Sequence, residues 1–116
     1  MASLRKCASL IRDAAADGVG WFALWKEGRS WNVEAFWPED YCYNQGCMEL
    51  LPEDAERLRE IAAADADAVL LNGYYSNINC SEDGGLPDFR AFVDALRWQY
   101  EDCHPRVSDW DLVEVK

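Results

Sequence analysis

The sequence predicts an α+β fold, a small and mainly antiparallel sheet packed with three helices in a single globular domain of residues 1–116. Three observations lead to this prediction. Two aromatic runs flank a short polar turn between residues 20 and 37, as in a β-hairpin. Apolar residues recur at helical spacing in three other segments. A short apolar run at 68–72 is typical of a central, buried strand.

The first helix is predicted over residues 3–17. Ser3 is a residue type that caps helix N-termini, and Gly18 is a type that commonly follows a helix C-terminus. Its buried stripe is predicted to comprise Leu4, Cys7, Ala8, Ile11 and Ala15. The basic residues Arg5, Lys6 and Arg12 lie off this stripe, so we expect a basic surface there.

The hairpin at 20–37 can adopt two registers. A three-residue loop, Lys26-Glu27-Gly28, places Trp21 and Trp25 on one face with Trp31 and Trp37. A two-residue loop instead places Phe22 and Leu24 on one face with Trp31 and Val33. We prefer the three-residue loop because it gathers four of the six tryptophans on one face, where most of them would be buried.

Beyond the hairpin, residues 38–51 read as an ordered but irregular surface loop. Pro52 begins a second helix that runs to about Asp65, with Glu53 and Asp54 favourably placed in its first turn.

The strand at 68–72 is followed by a long loop at 73–86 and a third helix predicted over 87–101. Residues 110–115 alternate weakly, which indicates an edge strand of the same sheet. All three helices are expected on one side of that sheet.

The charge is strongly acidic and unevenly distributed. The chain has 22 Asp and Glu against 11 Lys and Arg, a net charge of -11. Residues 1–30 hold 5 bases and 3 acids, a balance of +2, whereas residues 31–116 hold 6 bases and 19 acids, a balance of -13. Such a field repels nucleic acid and membranes and attracts basic protein surfaces. We therefore expect a partner with a basic surface, such as a nucleic-acid-binding protein, and no direct contact with nucleic acid or membrane.

Targeting signals and catalytic motifs are not found in the sequence. There is no signal peptide and no apolar run long enough to span a membrane, so a cytoplasmic location is expected. In that location we expect the cysteines to be reduced, without a disulfide. The spacing of the candidate ligands differs from that of zinc sites, so we expect no metal and no cofactor. Those ligands are Cys42, Cys47, Cys80, Cys103 and His104. His104 is the one histidine and lies in no catalytic motif, so we expect a non-enzymatic protein.

In size and charge the chain resembles small acidic inhibitors from phages and mobile elements: DNA mimics, anti-CRISPR proteins and nuclease immunity proteins. The resemblance implies a module that occupies a basic, nucleic-acid-binding surface of its partner. The residues expected to bind that partner are Glu53, Glu56, Glu60, Asp94, Trp98, Glu101 and Asp102.

Two alternatives remain open at this point. One is a small enzyme or ligand-binding domain with a pocket between loops 38–51 and 73–86. The other is a homo-oligomeric structural protein that buries Phe22, Leu24 and Phe36 in a two-fold interface.

Overall fold

The computed structural model describes residues 3–17, 20–37, 40–42, 47–72, 97, 100, 106–109 and 111–114. The helices in this part of the chain are α1 (Leu4–Ala16), α2 (Pro52–Ala64) and a short 3-10 helix (Val107–Asp109). The strands are β1 (Trp21–Glu27), β2 (Ser30–Phe36), β3 (Asp40–Cys42), β4 (Cys47–Leu50), β5 (Val69–Asn72) and β6 (Asp111–Glu114).

The first two predicted helices are confirmed. The Ser3 side chain accepts a hydrogen bond from the Lys6 amide at 3.1 Å, which caps α1, and Pro52 begins α2. The third helix, predicted over 87–101, lies outside the described residues apart from Arg97 and Tyr100. The described α-helices therefore number two, not three.

The strands form two three-stranded sheets in the described part of the chain. In the central sheet the order is β2-β1-β5 and both pairings are antiparallel, so β1 is the middle strand and β5 lies beside it. In the second sheet the order is β3-β4-β6, with β3–β4 antiparallel and β4–β6 parallel.

The second sheet corrects two predictions. Residues 40–42 and 47–50 form strands rather than an irregular loop. The strand predicted at 110–115 exists as β6, but it pairs with β4 and not with the hairpin. The pairing of β4 with β6 joins segments that are distant in sequence, which short, weakly alternating runs do not encode.

The helices cover both faces of the central sheet, not one side as predicted. The α1 face is the cluster of Cys7, Ala8, Ile11, Ala15, Phe22, Leu24, Val69 and Leu71. The α2 face is the cluster of Trp21, Ala23, Trp25, Phe36, Leu50, Ala55, Leu58, Ile61, Ala68, Leu70 and Val107. Because successive strand residues point to opposite faces, a strand covered on both sides must be apolar throughout. This explains why Trp21 to Trp25 are all buried.

The hairpin adopts the register that was not preferred. Glu27 pairs with Ser30, so the loop is the two residues Gly28-Arg29. Gly28 has a φ of 62°, the left-handed region that a two-residue hairpin requires at its first position. The other register was preferred because it gathers the tryptophans on one face, on the assumption that only one face is buried. Helices bury both faces, so gathering the tryptophans gives no advantage.

The tryptophans are consequently divided. Trp21 and Trp25 are buried on the α2 face, whereas Trp31 is half-buried on the α1 side, where its ring meets that of Tyr100 edge-on at 5.0 Å. Trp37 is 61% exposed. The prediction that these four tryptophans share one face is therefore wrong.

Candidate partner-binding surface

Helix α2 buries one side and exposes carboxylates on the other. Ala55, Leu58 and Ile61 are buried on the α2 face of the central sheet. The predicted partner-binding residues of this helix, Glu53, Glu56 and Glu60, are all exposed. The 3.6-residue helical period produces this division, because residues three and four apart lie on one side.

Two of these glutamates are close to arginines of the same helix. Glu56 lies 3.8 Å from Arg59, and Glu60 lies 3.7 Å from Arg57. Four acids and two bases leave α2 with a formal charge of -2. Only the acids of α2 were predicted as binding residues. The ion pairs of Arg57 and Arg59 could also have been predicted, because each arginine lies three residues from its glutamate. Exposed pairs of this kind contribute little stability, so the carboxylates stay accessible to a stronger cationic partner.

Arg57 also links α2 to the hairpin. Its Nε donates to both carboxylate oxygens of Glu34 on β2, at 3.0 and 3.1 Å. Its guanidinium carbon lies 5.6 Å from the centroid of the Trp25 ring, and the indole Nε1 of Trp25 donates to Glu27 at 3.0 Å. Glu27, Glu34 and Glu60 around Arg57 are here called the carboxylate cluster. The hydrogen bond with Glu34 raises the pKa of Arg57, which therefore stays charged.

Asp54 lies beside this cluster in the first turn of α2. Partial burial raises the pKa of its carboxyl, and repulsion from Glu53 and Glu34 raises that pKa further. Repulsion that disfavours the ionised form of a carboxyl group indicates other carboxylates nearby. Asp54 is thus a further acid close to Glu34 where α2 meets β2.

Other acids have structural roles instead. The Asp65 side chain accepts hydrogen bonds from the amides of Lys26 and Asp67, each at 2.9 Å. Asp67 is itself paired with Arg106 at 3.0 Å. These contacts fasten the end of α2 to the hairpin and to the segment before the 3-10 helix.

The opposite side of the central sheet has the opposite charge. Helix α1 contains three bases and one acid, a formal charge of +2. Arg5 and Lys6 are exposed, as the sequence analysis expected, and Arg12 lies 3.5 Å from Asp13. The sheet therefore separates a basic helix from an acidic one.

The remaining predicted binding residues, Asp94, Trp98, Glu101 and Asp102, lie outside the described residues, as does the loop at 73–86. Trp37, which was predicted to lie on the buried face, is an exposed aromatic side chain. Its exposure could have been predicted from Pro38, the next residue, because proline rarely lies inside a paired strand. Phe22, Leu24 and Phe36, the proposed two-fold interface, are each at most 2% exposed and lie on two different faces.

Within the described residues, no three His, Cys, Asp or Glu side chains come together as metal ligands. His104, Cys80 and Cys103 lie outside those residues. Neither described helix is long and apolar enough to cross a membrane.

Comparison with known proteins identifies the family. Residues 2–110 match the family described as large polyvalent-protein-associated domain 15. The chain belongs to this family. No curated protein and no solved structure matches it. The family match includes α1, α2 and β1 to β5, and therefore both faces of the central sheet and the carboxylate cluster.

Proposed function

We propose that this member of the large polyvalent-protein-associated domain 15 family is a non-catalytic binding module that engages a basic surface of a protein partner through its α2 side. The observation that carries the proposal is the group of carboxylates from β1, β2 and α2 around one arginine: Arg57 contacts Glu34 and Glu60, and Glu27 interacts with it electrostatically.

The geometry of the carboxylate cluster supports recognition because its side chains are held in place before binding. Arg57 orients Glu34 through two hydrogen bonds, and Trp25 orients Glu27 through one. These glutamates then lose less conformational freedom on association than mobile glutamates would. Carboxylates in a fixed array are also suited to meet lysines and arginines that otherwise contact phosphates.

The family description supports a modular role, because it associates the domain with large polyvalent proteins. It is also consistent with the expected origin in a mobile element. In its narrower form, the proposal is that the partner is a nucleic-acid-binding protein and that the module inhibits it as DNA mimics, immunity proteins and anti-CRISPR proteins do. In that form the surface extends from Glu53, Glu56 and Glu60 to Asp94, Trp98, Glu101 and Asp102.

The first test compares two pairs of charge reversals. Glu56→Lys with Glu60→Lys changes the α2 side, whereas Asp13→Lys with Asp17→Lys changes the α1 side by the same net charge. A partner captured by the wild-type chain and then purified is mixed with each variant in stopped-flow experiments. We expect the α2 reversals to slow association at least tenfold and the α1 reversals to have a much smaller effect, since steering depends on local potential.

The salt dependence separates steering from other causes. Association of the wild-type chain should slow steeply between 0.1 and 1 M salt, where the screening length falls from about 10 Å to about 3 Å. Trp98→Ala should mainly speed dissociation, as expected for an interface anchor. Salt-independent association, or equal slowing by both pairs of reversals, would contradict the proposal. Circular dichroism must show that each variant is folded.

A further inference from the structure

Two cysteines lie directly opposite each other in the second sheet. Cys42, the last residue of β3, is the register partner of Cys47, the first residue of β4, in an antiparallel pair. Residues directly opposite in such a pair are on the same face, with Cα atoms about 4.5 or about 5.5 Å apart according to the type of pair. A disulfide needs Cα atoms about 4.4–6.8 Å apart, so either type of pair satisfies the backbone requirement.

We propose that Cys42 and Cys47 are a site of reversible oxidation, forming an intramolecular disulfide by exchange with a low-molecular-weight disulfide such as glutathione disulfide. One cysteine thiolate attacks the glutathione disulfide, forms a mixed disulfide and releases one glutathione. The second cysteine thiolate attacks the protein sulfur of that mixed disulfide and releases the other glutathione. Two protein thiols thus lose two protons and two electrons, and glutathione disulfide is reduced to two glutathione thiols.

Cys7 is the matched control within the same chain. It is 1% exposed on the α1 face, and burial raises the pKa of its thiol, so it is a poor nucleophile. Cys7 is also on α1, whereas Cys42 and Cys47 are register partners in the adjacent strands β3 and β4. The expectation of reduced cysteines still applies in a reducing compartment. The inference is that this pair is the one that oxidises when a disulfide oxidant accumulates.

The disulfide would affect the part of the chain that leads into the acidic helix. It would connect β3 to β4, and β4 is followed after one residue by α2. A crosslink that closes a short loop restricts opening of the strands it joins. Amide hydrogen exchange in residues 40–42 and 47–50 should therefore slow about tenfold or more in the oxidised protein, with little change in α1. This inference does not depend on the proposed binding function.

The test uses the folded wild-type chain equilibrated in glutathione redox buffers, quenched by alkylation and mapped by peptide mass spectrometry. We expect one disulfide that connects Cys42 to Cys47, while Cys7 is alkylated only after denaturation. Dithiothreitol should restore both thiols. Separate glutathione adducts on Cys42 and Cys47, or a disulfide that joins either residue to Cys80 or Cys103 instead, would overturn the proposal.

The single variants Cys42→Ser and Cys47→Ser provide the second arm. Each should stop at the mixed disulfide, with glutathione retained on the remaining cysteine, because the resolving thiol has been removed. Loss of the intramolecular disulfide without a trapped adduct in either variant would contradict the exchange mechanism. The wild-type mapping stands independently if a variant fails to fold.

Discussion

The two faces of the central sheet are built from the same three strands, yet they differ in chemistry. The α1 face is formed mainly by aliphatic residues and one phenylalanine, beneath a helix of formal charge +2. The α2 face contains Trp21 and Trp25, both buried, beneath a helix of formal charge -2. The Trp25 indole donates a hydrogen bond to Glu27, and its ring contacts the Arg57 guanidinium. The difference indicates that α1 mainly closes the core, whereas α2 also organises a charged surface.

The largest expected change in the free energy of unfolding comes from variants that test whether both faces belong to one cooperative structure. Leu70 and Leu71 are neighbours in β5, fully buried on the α2 face and the α1 face respectively. Replacing either by alanine should lower the free energy of unfolding by about 2–5 kcal/mol, because each leaves a cavity. Urea denaturation followed by tryptophan fluorescence measures this.

The matched control for these variants is Leu10→Ala, since Leu10 is 51% exposed on α1. It should change the free energy of unfolding by less than about 0.5 kcal/mol. If only one of the two β5 variants is destabilised, the faces do not share a cooperative core.

The next effect tests the turn that decides which residues belong to each face. Gly28→Ala should reduce stability by about 1–2 kcal/mol, because the left-handed backbone is unfavourable for residues with a Cβ atom. An added Cβ would meet no atom within 4 Å, so steric clash makes no contribution. Gly28→Asn should cost less, since asparagine tolerates this conformation better. Equal stability of the glycine and alanine forms would argue against the observed two-residue loop.

A smaller change in stability is expected from removing the cation that contacts a tryptophan ring on each face. Lys26 lies 4.7 Å from the Trp31 ring on the α1 side, and Arg57 lies 5.6 Å from the Trp25 ring on the α2 side. Lys26→Ala should cost about 0.5 kcal/mol, as for exposed cation–π pairs. Arg57→Ala should cost about 1 kcal/mol or more, because the hydrogen bonds to Glu34 are also lost.

A double-mutant cycle with Arg57→Ala and Glu34→Gln isolates the contribution of that ion pair, measured by urea denaturation. We expect a coupling free energy of up to about 1 kcal/mol, because both side chains are partly exposed. Additive effects would mean that Arg57 does not orient Glu34.

The smallest effect is the pH dependence of the Asp54 contribution. The pKa of Asp54 is raised in the folded state, so its charged form opposes folding above that pKa. The opposition disappears as pH falls through the folded pKa to below the ordinary value of 3.8. The stability of Asp54→Asn relative to the wild-type chain should therefore be greater at neutral pH than at about pH 3. Urea denaturation at several pH values measures this difference, and a difference that does not vary with pH would contradict it.

Local patterns were sufficient for the elements that depend on neighbours in sequence. Ser3 and Pro52 mark the beginnings of α1 and α2, and both helices form where the apolar spacing predicts them. The hairpin and the strand at 69–72 follow from aromatic and β-branched residues between turn residues. The exposure of Glu53, Glu56 and Glu60 likewise follows from the helical period.

Long-range contacts decided the rest. The sequence by itself determined α1, α2, the hairpin and β5, and which side of α2 is acidic, because these depend on propensity, capping and period. Only the tertiary structure decided that α1 and α2 cover opposite faces, that β4 pairs with β6, and that Arg57 gathers Glu34 and Glu60. A run such as Trp21 to Trp25 is equally apolar on both sides, so its register cannot be read from its own residues. The helices that cover it and the glycine at the turn determine that register together.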